Sequence, residues 1–154
     1  MMSEIPLLLD FLDEAFDRKS WHGPNLLGSI RGLTARQAAW RVAPGRHNIW
    51  EYTLHAAYWK YVVRRRLTGS TRTSFALKGS NFFERPQDPS SGAAWKKDVE
   101  ILKRQHQDLR QAVLEWQPPA DIQKRRALQH LIRGAAAHDL YHAGQIRLLR
   151  RLAS

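Results

Sequence analysis

Three histidines carry most of the chemical potential of this chain. His138 and His142 lie four residues apart in HLIRGAAAHDLYHAGQIRLLRRL, and His55 lies in the earlier run HNIWEYTLHAAYWKYVVRRRL. One helical turn separates His138 from His142, so both rings leave the same helix face. Two imidazoles from one helix and one from another can supply three corners of a metal polyhedron and leave the rest open. Three neutral ligands leave a divalent ion its full charge, and three protein ligands with an open position is the arrangement of a catalytic rather than a structural centre. Zinc and nickel both suit imidazole, and the residues do not separate them from iron. The competing reading is an incidental i,i+4 pair.

The elements that must position these rings are helical. Glu4-Ile5-Pro6, after Ser3, reads as a helix start, and Ile5, Leu8, Leu9, Leu12 and Phe16 repeat at helical spacing toward an end near Ser20. Gly23-Pro24, Gly32 and Pro44-Gly45 divide the next stretch into short pieces, with Thr34 capping a brief helix to Trp40. A second long helix is predicted from Asn48 to Leu67, a third from Ser91 to Trp116, and a fourth from Ile122 or Lys124 to Leu152. The segment Gly69–Gly92 between the second and third is too long for a tight turn. It reads as a surface loop able to reach over a site as a lid. No strand alternation, internal repeat or low-complexity tract is present. The expected fold class is all-α, a four-helix bundle in one domain spanning 1–154.

At roughly 100° per residue, the helical neighbours of His55 are Asn48, Glu51, Tyr52, Tyr58, Trp59 and Val62; those of His138 and His142 are Leu131, Gly134, Ala135, Tyr141, Gln145 and Leu149. Both faces are mainly apolar or aromatic, so the three rings are expected to face inward, with Gly134 and Ala135 leaving room beside them. Buried imidazoles need partners, and metal coordination uses one nitrogen while an acceptor holds the other. Glu51, Asp139, Tyr52 and Gln145 are the candidates for that support. Of the other histidines, His106 stands among Lys103, Arg104, Gln105 and Gln107 and reads as near the surface. His130 reads as supporting or structural, His47 as a cap-side group or part of the mouth, and His22 as part of a turn. His138-Asp-Leu-Tyr-His142 also resembles the zinc-protease motif with Asp139 in place of the glutamate base. That reading is disfavoured by the shorter arm and the twelve residues left after His142.

The chain has 154 residues, 43% hydrophobic and 25% charged, with no cysteine. Disulfides, cysteine-held zinc and an internal thiol nucleophile are excluded; a thiol would have to arrive as co-substrate. IPLLLDFL is broken by Asp10 and reads as neither a signal peptide nor a membrane span, so a cytoplasmic protein that does not enter the membrane is expected. The net charge of +11 permits a polyanionic partner. Yet Arg64, Arg65 and Arg66, and Arg147, Arg150 and Arg151, close two predicted helices, where cations offset the macrodipole. Nucleic acid is therefore a permitted but disfavoured partner.

WHGP…GLT, then HNIWEYTLHAAYW, then HDLYHAGQI together resemble the DinB-like family, the YfiT-like metal-binding bundles, over roughly Trp21 to Leu152. The resemblance implies a four-helix bundle with up-down-down-up connectivity and short extra helices in the crossovers. It places metal ligands at His55, His138 and His142, and relates the chain to transferases and isomerases that use bacillithiol, mycothiol or glutathione. Two functions follow as expectations. The first is a metal-dependent enzyme on a small-molecule substrate, activating water or a low-molecular-weight thiol for hydrolysis or transfer. Glu51 or Tyr52, each about a turn from His55, would handle protons. The second is a non-catalytic basic module that meets nucleic acid or a protein. Ala136, Leu140, Ala143 and Gly144, on the opposite face of the last helix, suit either a homodimer contact or burial within the chain.

Overall fold

A computed structural model describes residues 4–86 and 88–153; Ser3, at the expected helix start, lies outside them. Six helices are present and no strand among the described residues: α1 (Ile5–Phe16), α2 (Leu26–Ile30), α3 (Ala35–Ala39), α4 (Ile49–Thr68), α5 (Gly92–Leu114) and α6 (Ile122–Leu152). The all-α reading holds. Local chemistry sets the boundaries. Thr34 and Asn48 each close a capping box, with Gln37 and Glu51 answering from the third helical position. Ser91 and Asp121 cap α5 and α6 by accepting backbone N–H bonds. Gly69, at φ 66°, ends α4 in the left-handed conformation. α1 stops at Phe16 rather than near Ser20, because Asp17, Arg18, Lys19 and Ser20 offer no apolar side chain to continue its buried stripe.

The four long helices pack as a ring, α1 against α5 and α6, and α4 against α5 and α6; α2 covers α6, and α3 covers α4. The pairs Trp50–Asp98, Lys60–His106 and Arg64–Asp108 ascend together along α4 and α5. His55 meets His142 while Lys60 meets Asp139, so α6 runs opposite to α4.

Two apolar clusters form the core. One gathers Leu26, Ile30, Trp50, Leu54, Trp95, Leu102 and Ile146; the other gathers Leu8, Leu12, Val63, Leu109, Val113 and Ile132. The long loop is fastened to the first cluster. Phe83 is buried in it, Phe75 and Leu77 pack on it, and the Arg85 guanidinium holds the buried Asp98 carboxylate at 2.8 and 3.0 Å. The small-residue face of α6 is partly spent within the chain: Ala136 and Ala143 are buried, while Gly144 is exposed.

A third set of buried side chains is polar: Asp13, Lys60, Gln105, His106 and Asp139. His106 corrects the surface expectation. Its ring stacks on Phe16 at 3.8 Å and its Nδ1 lies 3.4 Å from Lys60 Nζ. The charged residues beside it in sequence leave the helix on other faces, whereas the stripe Leu102, His106, Leu109, Val113 points inward. His130, by contrast, is exposed and supports no ligand.

Burial, with Lys60 and Arg110 nearby, pushes the His106 imidazole down to about 2. Asp13 lies 3.7 Å from its Nε2, but that carboxylate is held by Arg110 and Arg18. The unfolded imidazole takes a proton near its ordinary value and the folded one refuses it, so stability is lost as pH falls below about 6.5. In chelated protein, His106→Leu removes this term. Between pH 7.5 and 5, urea unfolding is expected to show the variant gaining about 2 kcal/mol on wild type. A difference that does not change with pH contradicts the assignment.

Candidate metal centre

α4 contributes His55 and α6 contributes His138 and His142. His138 Nε2 lies 3.0 Å from His55 Nε2 and 3.0 Å from His142 Nε2. Among the described residues these three form the histidine group able to hold a metal ion, with all ligand atoms within 4.8 Å of one another. His55 and His142 are buried, and His138 is half-buried.

The outward nitrogens settle the tautomers. His55 Nδ1 lies 3.0 Å from the Asn81 carbonyl oxygen, which only accepts, so Nδ1 carries the proton and Nε2 presents its lone pair. His142 Nδ1 lies 2.6 Å from Gln145 Oε1 and follows the same logic, while the Gln145 amide nitrogen donates to Tyr141. Two lone pairs therefore point at His138 Nε2, which has at most one proton to offer while neutral. Desolvation drives His55 to about 4 and His138 to about 3, and lowers His142. At neutral pH the inner atoms are three uncharged nitrogen donors facing each other, a set that hydrogen bonds alone leave unsatisfied and that a divalent cation satisfies.

The loop completes the site. Asn81 adopts a left-handed φ of 65°, a conformation that asparagine tolerates better than most residues. That turn delivers its carbonyl to His55 and its Oδ1 to Trp59 Nε1 at 3.0 Å. Phe82 stacks between His55 (4.0 Å, 10°) and His47 (3.6 Å, 3°). Tyr52 and Tyr141 each lie with ring centres 5.1 Å from His142, and Tyr141 is exposed. The expectation that this loop reaches the site is met, but nothing in its composition singles out Asn81 or Phe82.

The residues proposed as supports divide. Gln145 holds the His142 ring. Glu51 is buried and turned toward the α3–α4 junction. Arg41 grips its carboxylate through both terminal nitrogens, His47 Nδ1 lies 3.0 Å away, and the Asn48 N–H reaches it at 3.3 Å. Burial alone would raise the Glu51 carboxyl, but the Arg41 and His47 bonds overcome it and hold it below the ordinary range. The Tyr52 phenol, half-buried, is pushed up by desolvation. Asp139 turns into the core and pairs with Lys60, which leaves the protease-like reading without its base. Ala135 belongs to the second apolar cluster, whereas Gly134 is exposed, with open space where a side chain would stand one turn before His138.

Three of the six arginines at the helix ends are engaged within the chain. Arg64 meets Asp108, Arg65 bonds the Ser70 carbonyl, and Arg150 bonds the carbonyls of Ser29 and Arg31. No helix is long and apolar enough to cross a membrane among the described residues. No curated protein and no solved structure matches the sequence. The sequence model of the DinB superfamily does match, over residues 20–146, and with most of the chain so covered the protein belongs to the DinB superfamily.

Proposed function

We propose that this chain is a cytoplasmic, divalent-metal-dependent enzyme acting on a small molecule, with His55, His138 and His142 holding zinc or nickel. The observation that carries the reading is the meeting of three Nε2 atoms while His55 and His142 are oriented from behind by Asn81 and Gln145. When bound, such an ion supplies Lewis acidity, lowering the pKa of a water or low-molecular-weight thiol at its open position. The half-buried His138, with the exposed Tyr141 nearby, supports entry from that side. Tyr52, beside His142, is the proposed proton-handling group at the rings. Glu51 is proposed to act through His47, whose Nδ1 proton it accepts. The chain has no thiol of its own, which supports an external one. A homodimer through the exposed part of the α6 face, around Gly144, is proposed with it.

Metal-loaded protein is to be screened with low-molecular-weight thiols against electrophilic substrates, and with activated esters and amides. Turnover is expected that disappears on chelation, returns with added metal, and falls at least 100-fold in His138→Ala. Turnover that survives chelation overturns the reading.

A further inference from the structure

We propose that the buried Lys60–Asp139 pair is a positioning device that sets the axial register of α4 against α6 and so brings His55 to the other two histidines. This rests on the metal-site reading above. The pair joins the same two helices that carry all three rings, and Asp139 directly follows His138. Both side chains are 1% exposed. The Lys60 ammonium also lies 3.4 Å from His106 Nδ1 on α5 and 5.0 Å from the centre of the Phe16 ring on α1. One charge on α4 thus touches each of the other long helices.

Stability is a poor reason for the pair to exist. Two charges taken out of water are often replaced by apolar groups of similar volume with no loss, and buried polar contacts are best attested as setters of register. The satisfaction here is incomplete, since Asp139 Oδ1 has no hydrogen-bond partner. The buried apolar residues of these helices mix small side chains, Ala56 and Ala57 on α4 and Ala135, Ala136 and Ala143 on α6, with larger ones such as Leu54, Val63, Ile132 and Ile146. The small ones make shallow ridges, and the ion pair adds a directional contact to that packing. A slip of one turn, about 5.4 Å, would take Nε2 of His55 out of reach of its partners.

Two apolar double variants test this, Lys60→Met with Asp139→Leu, and Lys60→Leu with Asp139→Met. Both are expected to unfold cooperatively near the wild-type temperature. Cobalt(II) affinity, measured by competition, is expected to fall about 10- to 100-fold, with shifted ligand-field bands. In metal-free protein, the nuclear Overhauser contact between His55 and His142 ring protons is expected in wild type and lost in the variants. Wild-type cobalt affinity and bands in the variants overturn the proposal. So does failure of both to fold, which would make the pair a stability element. If wild type takes up no cobalt, the metal reading fails and the ring contact decides alone: its loss in the variants supports the register role, and its retention, or its absence from wild type, overturns it.

Discussion

His55→Ala is expected to abolish tight metal binding while leaving the bundle folded. His55 is the one member of the histidine group on α4, so its loss removes the contact that closes the triangle across two helices, whereas His138 and His142 remain an ordinary i,i+4 pair on α6. His55 is 6% exposed, and truncation also frees the Asn81 carbonyl and one face of Phe82. A stability loss of about 1–2 kcal/mol in the metal-free state is expected from those contacts. The larger effect is on linkage. Wild type at a free metal concentration 100 times its Kd gains about 2.7 kcal/mol, which for a chain of this size raises Tm by roughly 8 °C. His55→Ala is expected to show no such rise at the same concentration. Paired thermal scans with and without zinc measure both terms, and an equal rise in the variant would place the ion elsewhere.

Lys60→Met alone is expected to be the most destabilising single substitution at a charged position, by about 3–5 kcal/mol. The methionine fills much the same volume, so cavity formation is minor. The cost arises because Asp139, fully buried, loses its counter-charge and must fold either as a bare carboxylate or with a proton that it does not carry in the unfolded chain at pH 7. Burial already pushes that carboxyl up to about 6 against the pull of Lys60, so without the ammonium it takes up a proton on folding and stability falls as pH rises above the unfolded value. Chemical denaturation of the metal-free variant at pH 7 reads the effect directly. A loss below about 1 kcal/mol would show that the pair is not buried as described.

Much of the scaffold was legible because it is written in local chemistry. The caps at Thr34, Asn48, Ser91 and Asp121 state where helices begin, and the apolar stripe of α5 runs inward as its spacing requires. The meeting of His138 with His142 follows from one helical turn, and His55 from an inward face of α4. What was not legible is contact made across the fold. Asn81 is 26 residues from His55 in a loop with no periodicity, so nothing local announces its carbonyl as the acceptor. Lys60 stands between Trp59 and Tyr61 shortly before Arg64, and a lysine in such company reads as solvated, since full burial is rare for that residue. Its partner Asp139 was sought at the histidines because it is their neighbour in sequence, yet a single residue on a helix turns the side chain about 100° away. His106 shows the same lesson in reverse, with a helix stripe outweighing charged neighbours.

The measurement that bears most directly on the account is the metal content of the wild-type chain, purified without chelator or affinity tag and analysed by inductively coupled plasma mass spectrometry. The geometry of the three imidazoles predicts about one divalent ion per chain, retained through gel filtration. A chain that emerges metal-free and takes up neither zinc nor nickel when dialysed against them would contradict it.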